Sequence, residues 1–254
     1  MKNRMNKKAL TFGITLVLIV IVLMAVAIYS FVAMQKTTLQ STKTSQAILE
    51  FEQEQTRLKI YAEQSAILTA SQTIYEMSQK SMVNSANCFY FENSFIWEDS
   101  CKPEQLDFWF SEKFKKSFSD LMDQYPKKIK NLYINFTNNT IIIQDVSLFK
   151  EVKKPVNYNI TFKFDKLVEI NLSNEGLNLE EIQILYSKII AAKQSCNNDP
   201  SCIQNRITLK NWDMSITSQS GYLAFNLETK ELFSINSAGT ILIEKIKLNF
   251  FFRN

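Results

Sequence analysis

Twenty-six consecutive residues without a charge, positions 9–34, constrain this chain more than any other feature. As a helix rising about 1.5 Å per residue, the run reaches roughly 39 Å, more than the ~30 Å hydrocarbon thickness of a bilayer. A buried core helix of that length would need apolar partners on every side, whereas a membrane span needs only lipid. Lys2, Arg4, Lys7 and Lys8 precede the run, only Lys36 and Lys43 follow it closely, and acidic residues begin at Glu50. The positive-inside rule then places residues 1–8 in the cytoplasm as a basic tip, residues 9–34 in the membrane, and everything after about Gln35 outside, in an extracellular domain of a single-pass protein. Tyr29 falls near the outer end, where an aromatic ring rests at headgroup level.

Charge elsewhere is balanced. The four basic residues of the tip account for the whole net charge of +4, leaving 25 basic against 25 acidic residues over the rest of the chain. No basic face for nucleic acid is expected, and the partners are a lipid bilayer and either a second copy of the chain or another surface protein. The chain has no His, which removes the commonest general base and every Ser-His-Asp or Cys-His nucleophile arrangement. No Gly-rich phosphate loop, nucleophile elbow or EF-hand calcium loop occurs, so neither an enzyme nor a cofactor is expected.

Two processing routes compete with a retained anchor. Ala25-Val26-Ala27 has the small-x-small form of a signal-peptide cut, but the apolar run continues from Ile28 to Met34 beyond it. The second route cuts between the basic tip and the helix. Lys7-Lys8-Ala9 directly before Leu10 resembles the short basic leader of archaeal type IV pilin-like surface proteins, and the resemblance covers about the first thirty residues. It implies cleavage between Ala9 and Leu10, with the apolar helix kept on a mature filament subunit. The chain departs from that pattern at Ile14, where many pilins carry Glu, and Gly13 offers a second cut site.

Residues 35–83 form a long helix in this reading. No Gly or Pro lies between Ile14 and Lys102, and the segment is rich in Gln, Glu, Lys, Ala and Leu. Phe51, Leu58, Tyr61, Leu68 and Tyr75, with Ile60, Ile67 and Ile74 beside them, predict a broad apolar stripe. Packing on the protein's own head is favoured over a coiled coil, which shows cleaner a and d positions and charged flanks. Thr37, Thr38, Thr42 and Thr44 predict a bend or fray near the membrane. A single helix over residues 9–81 would extend about 110 Å.

Residues 84–254 read as an α+β head of mainly antiparallel strands and two shorter helices. The first helix spans 104–124 between Pro103 and Pro126, on Leu106, Phe110, Phe114, Phe118 and Leu121. The second is capped by Asn178 and runs to about Gln194. Strands are expected at 129–136, 140–144 and 158–170, with a hairpin turn at Asn138-Asn139, and at 212–217, 222–227 and 240–252, with a turn at residues 228–230.

All four cysteines lie on the outer side, as two local pairs: Cys88 with Cys101 and Cys196 with Cys202. Outside the cell disulfides are the leading reading, although sequence alone leaves three connectivities open. A zinc site competes, but its ligand pairs sit two to four residues apart and neither pair here does. Asn135, Asn138, Asn159 and Asn171 each begin a glycosylation sequon. The adjacent carboxylates Glu98-Asp99 and Glu180-Glu181 read as solvated caps, since neighbours on a helix diverge by about 100°. The rings of Phe89, Tyr90, Phe91, Phe95, Trp97, Phe108, Trp109 and Phe110 either line a ligand groove or fill the core, and filling is favoured.

Overall fold

With no helix breaker after Gly13, the N-terminal part of the chain has no local reason to stop being helical. In the computed structural model, which describes residues 7–84, 88–98, 100–126, 129–130, 132–152 and 158–253, it forms one helix of 72 residues, α1 (Lys7–Ser78). The predicted fray does not occur. Thr37 donates to the carbonyls of Ala33 and Met34, and Thr38 to that of Met34, so these hydroxyls bond back to the helix instead of competing with it. The side chains of Thr42 and Thr44 lie outside the described residues, as do residues 1–6 of the basic tip.

The chain divides into two compact units, Met1–Gln55 with Glu151–Asn159, and Thr56–Lys150 with Ile160–Asn254. In the first unit, every α1 residue of the stretch Val20–Thr38 is exposed.

The second unit is α+β and holds the last part of α1. There Leu58, Ala62, Ala66, Ala70, Ile74 and Met77 are completely buried at spacings of three and four, with Ser65, Thr69 and Thr73 beside them. This narrows the predicted stripe: Phe51, Leu58 and Ile74 are buried and Tyr61, Ile67 and Tyr75 half-buried, but Ile60 (57% exposed) and Leu68 (47%) face away. Small side chains let neighbouring elements approach the helix closely, and a buried Ala forfeits no rotamer freedom. Residue size therefore located part of the buried face and missed the alanines that complete it. After Ser78 the helix is closed by Ser81 and Met82, both left-handed at φ 48° and 56°, with Met82 N–H donating to the Met77 carbonyl at 3.0 Å. Ser81 compensates for its strained backbone: its hydroxyl donates to Asn249 O and accepts from Phe95 N, and its carbonyl accepts from the Trp97 indole.

Next come a short hairpin, β1 (Tyr90–Phe91) and β2 (Ser94–Phe95), and α2 (Leu106–Met122). Of the predicted ring cluster, Phe95, Trp97, Trp109 and Phe110 are buried, but Phe89, Tyr90 and Phe108 are exposed, because only alternate positions of a hairpin and one face of a helix can turn inward. The strands β3 (Ile129–Lys130) and β4 (Tyr133–Thr137) both pair antiparallel with β5 (Thr140–Val152) in one register, so they are two pieces of the single predicted strand. The strand β6 (Tyr158–Asn171) also pairs with β5. The β4–β5 turn is Asn138-Asn139, both left-handed at φ 50° and 57°, the backbone a two-residue hairpin requires.

The second predicted helix is α3 (Leu179–Cys196), with the Asn178 side chain accepting from Glu181 N at 3.2 Å. A third shorter helix, α4 (Pro200–Arg206), carries Cys202 and adds to the two shorter helices expected. Asp199 caps it by accepting from Cys202 N, and Pro200 takes the first helical position, where it needs no N–H partner. The strands β7 (Trp212–Gln219), β8 (Tyr222–Thr229) and β11 (Lys247–Arg253) form an antiparallel sheet in the order β11-β8-β7, and β9 (Phe233–Ser237) pairs with β10 (Thr240–Glu244). The turn predicted at residues 228–230 is displaced, since Thr229 completes β8 opposite Trp212. The predicted strand 240–252 is broken because Thr229 N donates to the Ile246 carbonyl and Ile246 N donates to the Thr229 hydroxyl, pinning buried Ile246 between β10 and β11. Trp97 stacks on Phe250 beside Phe225 and Phe252, while Phe110 packs against Phe114 and Phe136.

Candidate functional site

The cysteines pair as the two local disulfides, Cys88–Cys101 and Cys196–Cys202, with Cα separations of 5.6 and 5.7 Å. The first closes the segment that carries the β1–β2 hairpin, and the second ties the end of α3 to α4. With every thiol committed, none remains as a thiolate ligand or nucleophile.

The sequons are unlike one another. Asn138 is exposed at the tip of the β4–β5 hairpin. Asn171 is exposed at the end of β6, its side-chain oxygen accepting from Ser173 N at 2.9 Å. Asn135 is half-buried within β4, opposite Ile142. Asn159 lies in β6, and Ala9 and Leu10 in the first turns of α1, with their side chains outside the described residues.

A cleft of about 670 Å³ in the second unit runs between α1 at Ile67–Ser71 and the loops that follow β6, precede β7 and follow β8. Its floor is a polar network. Glu181, in the first turn of α3, accepts from the backbone N–H groups of Lys210 and Asn211 at 2.8 and 3.1 Å. Asn211 donates through Nδ2 to Ser173 O, and its own carbonyl accepts from Lys230 N. The Lys230 ammonium donates to the carbonyls of Leu209 and Lys210. Asn139 joins the hairpin tip to α3, donating to the Asn178 side chain at 2.6 Å and accepting from Leu179 N. Gly176 is left-handed at φ 77°, and a Cβ there would stand 2.8 Å from Glu231 Cγ, so the loop can lie this close to Glu231 only with glycine.

The buried Asn211 Oδ1 has no hydrogen-bond partner, which leaves one acceptor unsatisfied beside the cleft. The ionisable lining is two Glu and two Lys, namely Glu175, Glu231, Lys210 and Lys230. Such a lining is suited to holding a neutral polar or zwitterionic group and has no strong preference for one sign of charge. The Glu180-Glu181 pair is thus split in role: Glu181 clamps the loop before β7, while Glu180, together with burial as the larger cause, holds the Asp107 carboxyl above its usual range. Lys193 is pushed below its usual range by burial, over the Phe252 ring and bonded to the Arg253 carbonyl.

The structural roles of Asn139, Glu181 and Thr229 were not visible in sequence. Only the Asn-Asn dipeptide carried a signal, and it announced a turn without its contact to α3. No family model, curated protein or solved structure matches the chain.

Proposed function

We propose that this chain is a single-pass, membrane-anchored cell-surface protein whose extracellular α+β unit has a structural or binding role. The observation that carries the reading is the stretch Val20–Thr38, whose apolar side chains are all exposed on α1. Aliphatic surface on that scale is unfavourable in water at about 25 cal/mol per Å², and a lipid bilayer is the cover whose thickness matches it. Two disulfides in the second unit are compatible with an oxidising compartment and support a reading with that unit on the outer side and the basic tip in the cytoplasm. The cleft beside Asn211 is the face offered to a ligand.

Within this class, a pilin-like filament subunit is favoured over a receptor or adhesion module by the uninterrupted course of α1 from Lys7 to Ser78. A subunit of that kind needs an apolar helix that can leave the bilayer and pack on its neighbours. Mass spectrometry of the mature N-terminus, in protein from membranes and in material sheared from cells, separates the readings. A start at Leu10 in the sheared fraction supports the filament subunit, and a retained Met1 found only in membranes supports the anchored receptor. An N-terminus at Ile28 with no membrane-bound protein would sink both.

A further inference from the structure

The β9–β10 hairpin carries an open edge. Strand β10 pairs with β9 and with no other strand among the described residues, and it presents Ile241 at 75% and Ile243 at 72% exposure on one face and Leu242 at 38% on the other. Soluble proteins commonly blunt such an edge with Lys, Pro or a bulge. Thr240–Glu244 contains none of these.

The hydrogen-bonding phase of that edge is fixed from its other side. Opposite Ile241 stands Asn236, whose N–H donates to the Gln72 side-chain oxygen at 2.7 Å and whose carbonyl accepts from the Gln72 amide at 3.2 Å. Both backbone groups of Asn236 therefore point away from β10. In an antiparallel ladder the bonded and non-bonded pairs alternate, so Leu242 bonds with Ile235, and the N–H and C=O groups of Ile241 and Ile243 point outward to the free edge.

We infer that β10 is a self-association edge that pairs antiparallel with β10 of a second copy of this chain, Leu242 opposite Leu242. That register alone sets the outward groups of Ile241 against those of the other copy's Ile243, and the reverse, closing four hydrogen bonds about a twofold axis. It also gathers four isoleucines on one face and sets the two Leu242 side chains across a close, non-bonded pair. A shift by two residues in either direction opposes Ile241 or Ile243 to its own counterpart and sends the remaining isoleucine beyond the exposed apolar stretch, against Gly239 or Lys245. An extended strand is the occupant that backbone groups in this array require, and the sequence most complementary to the edge is the edge itself. The contact is smaller than the roughly 1,200–2,000 Å² of a standard interface, so it is weak between dilute chains and strengthened when copies are held close together on one surface. The inference does not rest on α1 crossing a membrane.

The test uses the full chain in detergent, with association followed by sedimentation. Because all four native cysteines are paired, Leu242→Cys adds a single reactive thiol. It should cross-link to itself under mild oxidation, while Ile241→Cys should cross-link efficiently only when mixed with Ile243→Cys. Ile241→Lys/Ile243→Lys should weaken association about tenfold or more, with the melting transition of the exposed hairpin's unit retained. Three results would overturn the inference: a wild-type chain that stays monomeric up to the highest concentration reached, association unchanged in the double Lys variant, or cross-linking through Phe89→Cys, an exposed position outside the hairpin, as efficient as through Leu242→Cys.

Discussion

Two stretches of the same helix are inverted with respect to residue size. In Val20–Thr38 the large side chains of Ile21, Leu23, Ile28 and Phe31 are exposed, whereas between Leu58 and Met77 three alanines, with serine and threonine beside them, are buried while Ile60 and Leu68 face solvent. The difference teaches that burial on a helix is decided by the partner surface. A protein surface that approaches a helix closely selects small residues, because a large one would hold the backbones apart. On the proposed reading the partner of the first stretch is a bilayer, which has no fixed surface to match and selects apolar area alone.

The comparison breaks most visibly in the first stretch. On the proposed membrane-anchored reading, Val22→Asp together with Leu23→Asp should abolish membrane association, at about 2.5–3.5 kcal/mol for each charge near the centre of a span, and should leave the melting of the second unit unchanged. Fractionation after alkaline extraction, paired with calorimetry, checks both halves. If the double variant stayed in the membrane, the first stretch would have to be covered by protein.

A smaller effect asks whether the second unit is held by its helix face or by its staples. Cys88→Ser with Cys101→Ser should lower stability by about 3 kcal/mol, the chain-entropy value for a loop of this length, measured by denaturant unfolding. Ala66→Leu should cost about 1–3 kcal/mol, because the added carbons enter a completely buried site. Its counterpart, Leu68→Ala, should change stability by less than about 0.5 kcal/mol even though it removes the larger side chain. Equal losses from Ala66→Leu and Leu68→Ala would refute the inversion.

The smallest effect is electrostatic. Burial and Glu180 raise the Asp107 pKa in the folded state, so ionised Asp107 opposes folding. This contribution is absent below the ordinary carboxylate range and develops as pH rises through the raised value. Asp107→Asn should therefore remove a small decline in stability between acid and neutral pH, read from melting temperatures across that range.

Much of the second unit was legible because its signals are local. Asn138-Asn139 specifies a hairpin through left-handed backbone, Asn178 caps α3 through its own side chain, and Pro103 and Pro126 bracket α2. The displaced features are those whose cause lies far along the chain. The break before β11 depends on Thr229, the cleft floor depends on Glu181 reaching residues 210 and 211, and the α1 face depends on the elements that pack against it. The cleft itself was not anticipated, since loops distant in sequence contribute its walls.

By itself the sequence determined the apolar run, the α+β class, the capped α3 and the Asn138-Asn139 turn, because helix propensity, charge exclusion and turn chemistry act within a few residues. Only the tertiary structure decided which face of α1 is buried, where the last strands begin and end, and that β10 is left as an open apolar edge. Those outcomes depend on shape complementarity and on partners outside the segment itself, from Thr229 with Ile246 to Gln72 with the distant Asn236, and periodicity along a single segment carries no record of them.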